Sequence, residues 1–417
     1  MGRSSPWWSR PGLEVRGGRL HVAGRDATAL AREHGTPLYV YDLCRIEEQA
    51  RALQAAFGRL GAELRLRLAL KAQRDPAVLR FVRALGPPGS PESVGMDVCS
   101  PGEVAWALDH GWRPEEISYT GTNVSERDLD AILSHPIHVN LDLLSQLERY
   151  GRRAAGRPVG LRVNPRLGAA SGPGRAHLYS GAERPSKFGI LEEQLDDAVA
   201  IARRFDLALD TVHVHVGDGF LDDGLPRFAE AVRVVRRMTD RLLEAGCPIV
   251  EVNAGGGLGV PQGPGETPLD VDVYAGILVE HLGDLGVAIG VEPGDFLAKE
   301  MGVLLAEVVT VEERAGVTFV GLDAGYNVMP ERFIYRSPLA VVPCRNPDEP
   351  PEREVVVAGN INEGDDLFAE DLPFPEVREG DVVAMLGVGS YNRSMHLDHC
   401  LRPAAAVVAF AERAEPA

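Results

Sequence analysis

The sequence predicts a (β/α)8 barrel followed by a β-domain, on three observations. From about residue 36 to residue 295, eight short β-rich runs alternate with amphipathic helical stretches, which is the rhythm of a strand–helix barrel. After Glu292 the texture changes to strands without helices of comparable length, as in a β-domain. Near the other end, GGRLHVAGRDA reads as a strand that joins that β-domain.

The eight barrel strands are expected at LRLAL (66–70), Asp97–Cys99, Ile117–Tyr119, His138–Asn140, Val159–Val163, Thr211–Val216, Ile249–Val252 and Val287–Glu292. Helical patterns lie between them, among them DAVAIARRF (197–205) and the stretch from Leu225 to Ala245. A doubly wound open sheet is the other architecture that strand counting allows. In the second region VLLAEVVTVEE, VTFVGLDAG, REVVVAGN, DVVAMLGVG and AAAVVAF read as strands, and PQGPGETP (261–268) reads as a loop. The domain boundaries that follow are 1–35 for an N-terminal segment joining the β-domain, 36–295 for the barrel and 296–417 for the β-domain.

Length and charge bound the function. At 417 residues the chain is too long for one ordinary core. A formal charge of −18 disfavours nucleic acid and anionic membranes as partners. Cys44, Cys99, Cys247, Cys344 and Cys400 are widely spaced without a CxxC pair, so neither a disulfide framework nor a zinc site is indicated. No apolar run approaches the ~20 residues that cross a bilayer, and MGRSSPWWSRPG lacks the apolar core of a secretory signal. The expected setting is the cytoplasm.

Four features carry candidate chemistry, each at the C-terminal end of a different expected barrel strand, where active sites of such barrels sit. Lys71 follows LRLAL; burial there would lower its pKa and favour a nucleophilic amine, against the plain reading of a lysine reaching water. NAGGGLG (253–259) follows the seventh strand, and consecutive glycines let backbone N–H groups approach an anion; a structural turn is the alternative. In VHVHVGDG (212–219) alternation puts His213 and His215 on one face, where an imidazole could lie against a planar ring or two could bind a metal. Glu292 in VEPGD could pair with a pyridinium nitrogen or form a strand-end salt bridge. In a barrel the four converge on one mouth, and together they are the parts of a pyridoxal phosphate (PLP) site.

These residues resemble the PLP-dependent decarboxylases of the alanine-racemase fold type, nearest the diaminopimelate decarboxylases. The landmarks occur in family order: LALKA (68–72), GMDVCSPGEV (95–104), YTGTN (119–123), LRVNP (161–165), SKFGI (186–190), HVHVG (213–217), NAGGGLG, EPG (292–294), LDAG (322–325), NEGD (362–365) and GSY (389–391). The resemblance implies that Lys71 carries PLP as a Schiff base, that His215 stacks on its ring and that Glu292 binds the pyridine nitrogen. It further implies that Gly255, Gly256, Gly257 and Tyr391 hold the phosphate, that Gly294 is also a cofactor-binding residue, and that Asp97 and Glu103 order the site. A homodimer with shared active sites is implied as well.

Departures from the family pattern bear on the substrate. EPGD places Asp295, and HVGD places Asp218, where the family has arginine and serine. Asn362 and Glu363 stand in a motif whose cysteine normally protonates the carbanion, and an amide is far too weak an acid for that; His396 and Cys400 are substitutes. Glu331 occupies the position of an arginine for a distal carboxylate, with Arg332 adjacent and Tyr335 nearby. The expectation is an amino-acid decarboxylase with a substrate other than diaminopimelate, carrying a cationic distal group or being a large unusual acid. Racemisation, decarboxylation-coupled transamination and a non-catalytic regulatory relative are the alternatives.

Overall fold

The computed structural model describes residues 6–170, 179 and 186–414; residues 1–5 of the stretch read above as lacking a signal lie outside them. The chain forms two compact units. One comprises Met1–Glu47, Pro261–Glu266 and Ala298–Ala417, and the other Glu48–Val260 and Thr267–Leu297.

The first unit begins with β1 (Leu13–Arg16), β2 (Arg19–Val22) and β3 (Arg25–Asp26), a small antiparallel sheet of their own. RLHV, read as the strand joining the β-domain, is β2. It touches the larger sheet through the Arg19–Arg345 bridge, with Leu20 N–H donating to Cys344 O at 2.8 Å. The early segment that joins the larger sheet is β4 (Leu38–Asp42), sited by the sequence reading at the start of the barrel. All five of its residues are buried, so it shows no alternation to reveal which sheet it serves.

The second unit is a closed barrel built from β5 (Leu64–Ala69), β6 (Gly95–Val98), β7 (Ile117–Gly121), β8 (His138–Leu141), β9 (Pro158–Arg162), β10 (Ala208–His213), β11 (Glu251–Asn253) and β12 (Ala288–Val291). All eight expected strands are present in order and every barrel pairing is parallel, which excludes the open sheet. The helices close over it for ordinary reasons. Leu225–Glu244 buries Leu225, Phe228, Ala231, Val232, Val235, Met238 and Leu242, one stripe at three- and four-residue spacing. The helix Pro101–Asp109 starts at Ser100, whose hydroxyl accepts from Glu103 N–H at 3.2 Å.

The barrel interior is polar. Leu66, Leu68, Met96, Val98, Val139, Leu161 and Val291 bury one face of their strands, while the alternate positions carry Arg67, Asp97, Asn140, Arg162, His213, Glu251 and Asn253. Arg67 reaches past β12 to Glu251, donating to both carboxylate oxygens at 2.6 and 3.0 Å. Gly290 makes that path possible, since a Cβ there would lie 2.4 Å from Glu251 Oε1. Asn140 donates to Ser118 Oγ and Thr120 Oγ1, each at 3.0 Å, in space left by Gly160.

Burial alone would raise the Glu251 pKa, but Arg67 and Arg65 outweigh it and bring it down to about 2. Because this lies below the ordinary 4.5, the pair's stabilisation is complete above pH ~4.5 and is lost as pH falls toward 2. Glu251→Ala leaves Arg67 buried without its counter-ion. It should lower the unfolding free energy by about 3–5 kcal/mol, read by denaturant unfolding at neutral pH, and flatten the acid limb of the stability curve.

The remaining strands belong to the first unit: β13 (Gly302–Arg314), β14 (Val317–Leu322), β15 (Ala340–Pro343), β16 (Arg353–Ala358), β17 (Leu367–Phe374), β18 (Val382–Leu386) and β19 (Ala406–Phe410). They run in the order β15-β18-β13-β14-β16-β17, with β4 between β13 and β19. Beneath them lies a core that includes Leu20, Leu30, Leu38, Val40, Leu305, Cys344 and Ala384. Among the described residues no helix is long and apolar enough to cross a membrane.

Candidate active site

The barrel register sets the site's first two elements side by side. Ala69 pairs with Asp97, so Lys71 and Cys99, each two residues further on, rise together from neighbouring strand ends. Lys71 is exposed to solvent at this mouth, although protein surrounds it closely. Its pKa contradicts the sequence expectation. Burial lowers it, but the Asp97 carboxylate, with help from Cys99 and Tyr179, raises it above the ordinary lysine value. The lysine is held as an ammonium, not as a free amine. The Asp97 carboxyl is pushed well above its usual range, first by burial and then by Glu292, with Lys71 opposing.

Glu103, the third residue of its helix, turns back to accept Cys99 N–H at 2.8 Å. It thereby fixes the turn that carries Asp97 and Cys99. The Cys99 thiol is pushed up to about 12, mainly by burial and by Glu103, so it stays protonated at neutral pH.

Across the barrel Glu292 is buried at the end of β12. Asn253 donates an amide N–H to its Oε1 at 2.5 Å, and His213 Nε2 lies 3.0 Å from its Oε2. Burial works against the charge, but His213, Arg67 and Asn253 prevail and the pKa falls below the ordinary value. His213 is itself lowered, chiefly by burial, so a neutral ring donating Nε2–H to an ionised Glu292 satisfies both. Of the two histidines that share a face, this one is a partner of Glu292. Among the described residues no group of three or more His, Cys, Asp or Glu side chains could hold a metal.

His215 stands half-buried beyond the end of β10. Its pKa is lowered well below the ordinary value by burial and by the cations Lys71 and Arg162. Gly256 N–H donates to its Nδ1 at 3.2 Å, which leaves the proton on Nε2. Tyr179 meets it edge-on, with centroids 4.9 Å apart.

The glycine triplet is built for close approach. A Cβ on Gly255, Gly256 or Gly257 would lie 2.2, 2.5 or 2.5 Å from the backbone oxygens of Val214, Glu292 and Gly217 respectively. Only part of its donor capacity remains for an anion, however. Gly255 N–H goes to Asn253 Oδ1 at 2.9 Å and Gly256 N–H to His215. Gly257 N–H makes no hydrogen bond among the described residues and is the amide left for a phosphate.

Arg162 and Asn253 were not singled out as site residues in the sequence, and His213 was read there as a ring or metal partner rather than as the partner of Glu292. Arg162 is buried, with its guanidinium over the Phe188 ring at 4.4 Å, and burial lowers its pKa against Asp142, Glu292 and Asp97. An arginine inside the apolar run VGLRV was the available signal.

Gly294 is buried beside Glu292. Asp295, half-buried, opens the short helix Asp295–Ala298 in the barrel unit, and Asp218 is half-buried in the turn after β10. The remaining expected residues belong to the first unit. Tyr391 follows β18 and meets Tyr335 edge-on at 6.0 Å. Arg332 and Tyr335 lie on the helix Glu331–Tyr335. Asn362 and Glu363 are exposed between β16 and β17, with Glu363 3.2 Å from His399 Nε2. His396 is half-buried and Cys400 exposed.

A lysine beside a carboxyl group, a neutral imidazole, an ionised buried carboxylate and a cleared glycine turn with a free amide fit PLP. The barrel and this constellation define a PLP enzyme. The pattern described as "Pyridoxal-dependent decarboxylase, pyridoxal binding domain" matches residues 43–299. A diaminopimelate decarboxylase of Methanothermobacter thermautotrophicus is 36% identical over 408 residues, covering 95% of this chain and 92% of the relative. One from Streptomyces coelicolor is 32% identical, covering 91% and 86%. The crystal structure of diaminopimelate decarboxylase from M. jannaschii in complex with L-lysine superposes with a TM-score of 0.85 at 27% identity, covering 95% of this chain and 92% of that one. The chain belongs to the pyridoxal-dependent decarboxylases: it is a PLP-dependent carboxy-lyase acting on an amino acid.

Proposed function

We propose that the substrate is diaminopimelate and that its decarboxylation yields lysine. The relatives just described carry that name, and they give no support to the expectation of a different substrate. The observation that carries the reading is the state of Glu331, the residue behind that expectation. Its carboxylate forms a buried ion pair with Lys299, so it presents no free negative charge. Arg332 beside it has only a 3.5 Å contact from Nε to Phe368 O, and its terminal guanidinium nitrogens make no hydrogen bond among the described residues. A paired Glu331 and an available Arg332 suit a substrate with a distal carboxylate.

When bound, PLP supplies the electron sink that makes loss of a carboxylate as CO2 feasible. In this reading Lys71 would anchor it, as the amine beside Asp97. His215, neutral, would support the ring face, and ionised Glu292 would keep the ring nitrogen protonated. Asp97 holds the Lys71 proton. Gly257 N–H and the Tyr391 hydroxyl would hold the phosphate, with Gly255, Gly256 and Gly294 beside it. Asp295, Tyr335, Asn362 and Glu363 are the further candidates for substrate contact. Two copies of the chain with shared sites complete the proposal.

Purified protein with PLP should release CO2 from diaminopimelate with equimolar lysine, faster than from lysine, ornithine or arginine. Turnover of a cationic amino acid with none of diaminopimelate would overturn the substrate and leave the decarboxylase. An inverted amino acid, or aldehyde with pyridoxamine phosphate, would identify racemisation or transamination.

A further inference from the structure

Tyr391 adopts φ +52°, a left-handed backbone that bulky side chains avoid. Such a conformation persists only where the surroundings hold it, and it concentrates at functional positions. The restraint is visible in the next residue. Asn392 is buried, and its side-chain amide donates to Ser390 O at 3.0 Å and to Glu331 Oε2 at 2.9 Å. Glu331 N–H in turn donates to Asn392 Oδ1 at 3.3 Å. The turn around Tyr391 is thus clamped to the helix Glu331–Tyr335 by reciprocal hydrogen bonds.

The other carboxylate oxygen of Glu331 meets Lys299 Nζ, and Ser337 Oγ donates to it at 3.4 Å. Glu331 and Lys299 are both buried. A lone charge at either position would be costly, and the cost is contained because each neutralises the other. Tyr335, on the same helix, packs its ring against Tyr391. One carboxylate therefore joins three segments: the residues leading into β13, the helix Glu331–Tyr335 and the turn 390–392.

We propose that Glu331 is a positioning residue: charge-compensated by Lys299, it holds the 390–392 turn and so sets Tyr391. The inference rests on the reading that Tyr391 holds the cofactor's phosphate. Two oxygens are needed, one for Lys299 and one for Asn392. A glutamine has only one acceptor, so Glu331→Gln must forfeit one of the two partners while conserving shape.

The test is the rate at which PLP leaves the holoenzyme on dilution into a PLP trap, for the parent, Glu331→Gln, Tyr391→Phe and the double variant. Each single substitution should speed release about tenfold, the scale of one hydrogen bond to a charged group. The double variant should be no faster than Tyr391→Phe alone. A Glu331→Gln rate equal to the parent's overturns the inference, as does a full additional factor in the double variant, which marks a merely structural role. Unchanged release from Tyr391→Phe alone defeats the phosphate reading of Tyr391 and the inference with it, while Lys71 and the barrel site stand. If Glu331→Gln does not fold, Lys299→Met with Glu331→Met removes the clamp without leaving a lone buried charge, and the same cycle applies.

Discussion

Lys71→Ala is expected to lose the visible absorption band that the parent shows with PLP, and to lose turnover by on the order of 10⁴–10⁶-fold, the scale of removing an enzyme's nucleophile. The lysine is the amine at the barrel mouth beside Asp97. Cys99 rises next to it, but its thiol is held in the protonated form. Absorption spectra and CO2 release from the purified variant check both effects. A variant that keeps the band would place the cofactor elsewhere. Because Asp97 raises the Lys71 pKa above the ordinary lysine value, the neutral amine becomes more abundant only as pH rises. PLP loading of the cofactor-free parent should therefore accelerate with pH through the alkaline range. Asp97→Asn should move that rise to lower pH.

Glu292→Gln should reduce kcat about a thousandfold with little change in fold, comparable to deleting one preorganised electrostatic partner at a reacting centre. The substitution keeps the shape and can keep one hydrogen bond, to Asn253 or to His213. What it removes is a buried negative charge that three neighbours stabilise. Burial alone would favour the neutral acid, so the surroundings maintain this charge against a large opposing effect. PLP should still bind through Lys71, so the absorption band should survive while CO2 release falls. A variant with parental kcat would show that the charge has no part in the chemistry.

The barrel was legible because its strands alternate and its helices carry stripes, both properties of neighbouring residues. The four site motifs were legible because each sits at a strand end. What escaped depends on partners far apart in sequence. Glu331 read as an obstacle to a distal carboxylate, and only the fold brings Lys299, 32 positions earlier, onto it. The direction of the Lys71 shift turns on Asp97 in the adjoining strand, and the role of His213 turns on Glu292, 79 positions away. LYVYD was set at the barrel's start because a run buried throughout carries no sign of the sheet it joins.

The polar barrel interior has a consequence for how this sequence can vary. Asn140 exists at its position because Gly160 has no side chain; Glu251 is tied in the same way to Gly290, and by charge to Arg67. An apolar core absorbs single substitutions by small shifts of interchangeable neighbours. Here each occupant has specified counterparts, so acceptable change comes in correlated sets. Among relatives, a bulkier residue at position 160 should be accompanied by a smaller one at 140. Loss of the acid at 251 should be accompanied by loss of the base at 67.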